Sequence, residues 1–253
     1  MIKQRINLSL VLILLFTVAP AVWAAEINAV LEWSDLRKLG TTVSGKISKV
    51  MVRPGMKVKK DEAMILLDQR NFDVRVQQSR AAMEHARLLM EEAQREQDRA
   101  IELYDRTVLS DYDRQQADIG LASAKAVFSK AKADYEQARL DKEYSQLSAP
   151  YDAVVLNVFV APGEVVVNET ESQVMLEIAR ADEMLVTTTL EGNQIASIEI
   201  GQMINAAFRG QWIQGEIHSL SMNDKGYQLA VKVPVQSSDN ARAGEASAVR
   251  LPE

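Results

Sequence analysis

Between Gly55 and Pro150 run 94 residues that contain one glycine, Gly120, and no proline. A stretch that long without helix breakers reads as long helix. Its apolar residues fall into two runs. Phe72, Val76, Ser79, Met83, Ala86, Met90, Ala93, Gln97, Ala100 and Tyr104 alternate steps of four and three. Ala117, Leu121, Ala124, Phe128, Ala131, Tyr135 and Ala138 do the same. A 4-3 repeat averages 3.5 residues, the period of a helix–helix seam. Thr107 and Val108 are poor helix formers and Ser110 is a good N-cap, so the chain is expected to reverse there. The spacing predicts an antiparallel coiled-coil hairpin with arms near 72–106 and 111–144, each on the order of 50 Å long.

The flanks of this block, Thr41–Asp68 and Pro150–Pro234, are rich in Val, Ile and Thr and read as strands. They also contain a repeat. Gly45–Asp61 aligns with Ala153–Glu169 at an offset of 108, with Val50/Val158, Val52/Val160, Pro54/Pro162, Gly55/Gly163 and Val58/Val166 identical. Each copy alternates apolar residues, turns at Pro-Gly, and continues toward Leu66-Leu67 or Met175-Leu176. One copy cannot bury its apolar face alone. Two copies brought together by the ends of the hairpin can close a small β-sandwich.

Lys3 and Arg5, the apolar run Ile6–Val18, Pro20, and Val22-Trp23-Ala24 form a secretory leader with a cleavage site after Ala24. The other reading is a retained membrane anchor, since the uncharged stretch reaches Ala25. Removal of 1–24 leaves 27 basic against 35 acidic residues, a net charge of -8. That balance argues against a nucleic-acid partner. With no cysteine, disulfides, thiolate metal sites and thiol nucleophiles are ruled out. With only His85 and His218, a histidine metal site or a Ser-His-Asp triad is not expected. The ten methionines are scattered or fit core positions. Neither an enzyme activity nor a cofactor is expected.

The Pro-Gly turn, the Val-x-x-(Asp/Glu) that follows and Leu66-Leu67-Asp68 resemble half of a biotinyl/lipoyl domain. Two such halves separated by a helical hairpin resemble the periplasmic adaptor, or membrane fusion, proteins of the HlyD and RND-pump adaptor families. Leu147–Val155 is similar to their return from the hairpin, and Leu185–Gln202 to the start of their β-barrel. The resemblance implies an α+β fold. A leader would occupy 1–24, a split lipoyl-like domain 41–70 and 146–182, the α-helical hairpin 71–145, and a β-barrel 183–253. Longer members carry a membrane-proximal domain that this chain is expected to lack, because only about 16 residues separate Ala24 from the first half-motif.

The resemblance also assigns a site. Arg99-x3-Leu103-x6-Ser110 has the spacing of the Arg-Leu-Ser motif with which these adaptors grip TolC-like outer-membrane ducts. Arg99 and Leu103 are four apart and share a helix face. The guanidinium can bond exposed carbonyls or carboxylates, Leu103 can fill an apolar notch, and Ser110 can cap its helix and meet the partner. Each residue also has a structural reading: a solvated arginine, an inner seam leucine, a plain N-cap. Arg209 and Trp212 are a second candidate, a contact with the transporter or, equally, ordinary barrel residues. Glu191, Asn193 and Gln194 read as a polar helix start before Ile195 and Ile198.

The function implied is a periplasmic adaptor between an inner-membrane transporter, RND type favoured over ABC, and a TolC-like duct, with six copies in a ring. The rivals are a coiled-coil envelope scaffold and a lipoyl or biotinyl carrier. A carrier modifies a lysine at a tight hairpin tip, which here is replaced by the helical insert. Lys46, Lys49, Lys57, Lys59 and Lys60 lie elsewhere.

Overall fold

The computed structural model describes residues 26–168, 173–192, 194–224, 226–236 and 241–251. The expected leader lies outside them. Two helices, α1 (Arg70–Asp105) and α2 (Asp111–Tyr144), form the hairpin. Their ends fall within two residues of those read from the 4-3 spacing.

The burial along both helices follows that spacing. Phe72, Ala86, Ala100, Leu121 and Ala138 are buried, and the other seam positions are half-buried, with one exception. Tyr104 is exposed, and Leu103 is half-buried instead. The physical reason is the end of the seam. The N–H groups of Val108 and Leu109 both bond the Leu103 carbonyl, at 3.0 and 3.3 Å, which folds Leu109 back over Leu103. Polar groups cross between the helices above and below. Asp73 pairs with Lys142 at 2.7 Å, and the Gln97 amide donates to Asp118 at 2.8 Å.

The repeat becomes a sandwich of two four-stranded sheets. Its strands are β2 (Arg37–Leu39), β3 (Gly45–Val50), β4 (Lys57–Val58), β5 (Ala63–Leu67), β6 (Gln146–Ser148), β7 (Ala153–Val158), β8 (Val165–Val166) and β9 (Leu176–Arg180). The sheet orders are β2-β9-β7-β4 and β6-β5-β3-β8. Exchanging each strand for its repeat equivalent converts one sheet into the other. Each copy lends its short strand to the other copy's sheet, β4 to β7 and β8 to β3. The turns obey the same symmetry. Gly55 N–H donates to the Val155 carbonyl at 2.7 Å, and Gly163 N–H to the Ile47 carbonyl at 2.8 Å. Both glycines have positive φ, 85° and 96°, which is why the Pro-Gly pair recurs.

Val52, Val58, Met64 and Leu67 from one copy and Val160, Val166, Met175 and Ile178 from the other share one core. Phe72 enters that core from the first turn of α1 and seats the hairpin on the sandwich. At the same junction Gln69 donates to Ser145 Oγ at 3.0 Å and Thr41 Oγ1 to the Tyr144 carbonyl at 2.5 Å.

The remaining strands are β1 (Glu26–Trp33), β10 (Glu183–Leu190), β11 (Met203–Phe208), β12 (Gln211–Asn223), β13 (Gly226–Pro234) and β14 (Ala246–Arg250). They close a barrel in the order β1-β10-β13-β12-β11-β14. The barrel therefore draws β1 from outside the 183–253 span, and the sandwich draws β2 from outside 41–70. In β1, Ala29 and Leu31 point into the core while Asn28, Val30 and Glu32 face out. This period-2 alternation seals the barrel between β10 and β14 and leaves no free edge. The segment after β10 holds turns, with no helix among its described residues. The Gln194 side chain accepts the Glu191 N–H at 2.9 Å, which closes a turn where a helix start was expected. Ile195 and Ile198 still pack on the barrel core.

Candidate functional site at the hairpin tip

The tip is built by two caps. At the end of α1, Thr107 N–H bonds the Tyr104 carbonyl at 2.8 Å while Val108 N–H reaches Leu103. That pair of bonds is a Schellman motif, and it places the residue after the C-cap in the left-handed region. The residue there is Thr107, with φ 59°. Glycine or asparagine is the usual occupant, and a β-branched side chain at such a φ is strained. At the start of α2, Ser110 Oγ accepts the Asp113 N–H at 3.2 Å and donates to Asp113 Oδ2 at 2.6 Å. Asp111 and Asp113 add negative charge to the first turn, where the helix dipole favours it.

The three residues of the tip motif have distinct environments. Arg99 is exposed on the outer face of α1 and ion-paired with Glu96 one turn back. Leu103 is half-buried and lines a groove of about 380 Å³ with Ala100, Leu109, Asp113 and Leu121. Ser110 is exposed and committed to the cap, through an acid that also borders that groove. The structure thus links Leu103, Leu109 and the Ser110–Asp113 cap around one groove. Arg99 stands one turn below Leu103 and does not line it.

Two residues that the spacing argument passes over are the most exposed large apolar side chains of the hairpin. Val108 is 69% exposed and Tyr112 68%. A fold places such residues at a reversal at a solvation cost unless something covers them. A usable sequence signal was their position beside the cap, two apolar residues flanking the reversal around Ser110.

The second candidate pair is tied down. Arg209 and Gly210 form the two-residue loop between β11 and β12, with φ of 49° and 81°. Both values positive is the type I′ geometry of tight hairpins. The Arg209 guanidinium grips Glu245 through both carboxylate oxygens, at 2.8 and 2.9 Å. This contact holds the Glu245 carboxyl below the usual range. Trp212 lies half-buried on the outer wall of β12, outside the barrel core. Arg250 stacks over its ring, 3.8 Å from the centroid. Both side chains thus carry structural duties.

Among the described residues, no group of three His, Asp or Glu side chains is placed to hold a metal ion. No helix among them is long and apolar enough to cross a membrane.

No family model matches the sequence, and no curated protein matches it. Solved structures do match the fold. A MacA–MexA chimera carrying the Pseudomonas aeruginosa MexA α-hairpin superposes with a TM-score of 0.66 at 21% identity, over 90% of this chain and 79% of that one. The membrane fusion protein Spr0693 of Streptococcus pneumoniae gives 0.65 at 14% identity, over 90% and 98%. MacA of Actinobacillus actinomycetemcomitans gives 0.57 at 18%, over 90% and 78%. The chain therefore shares its fold with these solved structures, one of them a membrane fusion protein.

Proposed function

We propose that this chain is a non-catalytic periplasmic adaptor of a tripartite export pump, joining an inner-membrane transporter to a TolC-like outer-membrane duct. The observation that carries the reading is the tip. A strained reversal held by two caps displays Val108 and Tyr112 to solvent at the far end of a hairpin about 50 Å long, and Arg99 is exposed further down the same arm. Nothing in the packing of the hairpin needs those side chains outside. A duct end that offers carbonyls, carboxylates and an apolar notch would use all three. The 4-3 burial supports an antiparallel coiled coil over 71–145. The symmetric exchange of β4 and β8 supports a lipoyl-like domain over 41–70 and 146–182. The barrel over 183–253, completed by β1, would serve contacts among copies or with the transporter. In this reading the leader is cleaved after Ala24, the transporter is of RND type, and copies form a ring of six.

The test is crosslinking in intact cells, followed by mass spectrometry of the proteins that co-purify with wild type and with Arg99→Asp. Wild type is expected to capture a duct and a transporter. Arg99→Asp is expected to lose the duct at least tenfold and keep the transporter, with an unchanged melting temperature, because an exposed helix charge contributes little stability. Capture of neither partner by wild type overturns the adaptor role. Equal duct capture by the variant overturns the tip assignment.

A further inference from the structure

A cleft of about 650 Å³ opens between the sandwich and the barrel. The barrel side contributes Trp33, at the end of β1, and the loop Ala241–Ala243. The sandwich side contributes Lys57 of β4 and Val154–Asn157 of β7, beside the turn at Gly55. Val154 alternates with the core residues Ala153 and Val155, so it faces the cleft and supplies an apolar floor. Trp33 is half-buried, and Lys57 and Arg242 are exposed. Among the described residues the lining holds two cations and no carboxylate. The chain as a whole carries a net charge of -6, so the cleft runs against the charge of the molecule.

The walls are fixed. The chain passes between barrel and sandwich after β1 and again after β9, and both passages are tied. Ser34 Oγ donates to Glu183 at 2.8 Å, and Arg180 N–H to the Ser34 carbonyl at 3.1 Å. Tyr151 donates to the Asp35 carbonyl at 2.9 Å, with Arg180 and Arg37 over its ring at 5.0 and 5.9 Å from the centroid. On the barrel side Arg242 N–H donates to Glu245 at 3.0 Å, the carboxylate that Arg209 grips. The cleft is thus formed before any ligand arrives, and a ligand entering it has little to order. Lys57 is not required by its strand. Its repeat equivalent, Val165, holds the same place on β8 with an exposed apolar side chain. Lysine stands in the copy whose short strand borders the cleft.

We propose that this cleft binds a small aromatic anion. The ring lies against Trp33 and Val154, and the acidic group bonds Lys57 and Arg242. An aromatic wall with a few placed charges, at the junction of two units and in a volume of several hundred Å³, is the ordinary form of a small-molecule site. A cation is repelled by both side chains, and a neutral ligand gains nothing from them. The ligand touches barrel and sandwich together, so it stabilises their joint. The inference goes beyond the adaptor reading and is independent of it, since every wall of the cleft belongs to one chain.

The probe is 8-anilinonaphthalene-1-sulfonate, an aromatic anion, added to the purified full chain and excited through tryptophan. Saturable binding at a single site is expected, with an affinity that falls as salt is raised. N-phenyl-1-naphthylamine, the same rings without the sulfonate, should bind at least tenfold more weakly. Lys57→Gln combined with Arg242→Gln should weaken sulfonate binding at least tenfold at an unchanged melting temperature, because both side chains are exposed. Trp33→Phe should remove most of the tryptophan-sensitised emission, and Trp212→Phe should keep it. Equal affinity for the neutral dye would mean a plain apolar patch and overturn the inference. So would unchanged sulfonate affinity in the double variant, or full sensitised emission from Trp33→Phe. If the double variant unfolds, the salt dependence and the neutral dye decide the matter on wild type alone.

Discussion

The barrel and the hairpin handle their surfaces in opposite ways. The barrel pairs every strand on both sides, and along β1 its core positions alternate with outward ones. Where it exposes a turn, at Arg209-Gly210, the side chain is bound back to Glu245. The hairpin buries a narrow seam and leaves Leu88, Ile119, Val108 and Tyr112 in solvent. At its own turn the strained residue, Thr107, sits next to the exposed Val108. Both turns hold a non-glycine residue at positive φ, so backbone strain alone does not mark a functional site. What distinguishes them is whether the surrounding side chains are tied to the protein or displayed. The side chains of the barrel turn are tied to the protein, and those of the hairpin turn are displayed to solvent.

The sharpest way to probe that contrast is with the two glycines inside these elements. A Cβ on Gly215 of β12 would sit 2.7 Å from Val231 Cγ1 and 2.8 Å from the Lys232 carbonyl oxygen. Backbone cannot yield there, so Gly215→Val is expected to destabilise the barrel by about 3 kcal/mol. Gly120 on α2 has nothing within 4 Å of such a Cβ. Gly120→Ala is expected to stabilise the hairpin by about 1 kcal/mol, because alanine restricts the unfolded chain and favours helix. Thermal denaturation of the two variants checks both. A tolerated Gly215→Val would show that the barrel wall is softer than its closure implies.

A smaller effect is expected at the two turns. Thr107→Gly removes the left-handed strain and should stabilise the hairpin by about 1 kcal/mol. Arg209→Gly removes comparable strain but also the grip on Glu245, so its net change should be within about 0.5 kcal/mol of zero. Urea unfolding of both variants measures the difference. Equal gains would mean that the Arg209–Glu245 contact holds nothing.

The smallest effect concerns Asp68, which leads the chain into α1. Hydrogen bonds from the Arg70 side chain and backbone lower its carboxyl from the ordinary 3.8 to about 2. A folded-state value below the unfolded one means a contribution present above pH near 4. It is lost as pH falls through about 2. The melting temperature of Asp68→Asn should lie slightly below wild type at neutral pH and converge with it at the acid end. A constant offset over the whole range would assign the effect to packing rather than charge.

How far the sequence could be read follows from the range of the interactions. The helix ends, the seam from Phe72 to Ala100, and the cap at Ser110 rest on contacts between residues three to four apart, and local spacing reveals them. The equivalence of Gly55 with Gly163 was likewise visible, because both copies need the same turn. Tyr104 departs from the pattern because the seam ends where Leu109 folds over Leu103, and the 4-3 count carries no sign of where a seam stops. The exposed tip residues Val108 and Tyr112 were in plain sight but lie off the 4-3 seam spacing.

The sequence by itself determined that two β-rich copies flank a long helical hairpin, since periodicity and the placement of glycine and proline are local properties. Only the tertiary structure decided that β4 pairs with β7 and β8 with β3, that β1 closes the barrel between β10 and β14, and that Arg209 is bound to Glu245. The physical reason is that these pairings join residues far apart in the sequence, as Lys57 with Val154 and Glu26 with Arg250. Any alternating strand offers the same hydrogen-bonding edge, and the choice among edges is made by the packing of the whole core.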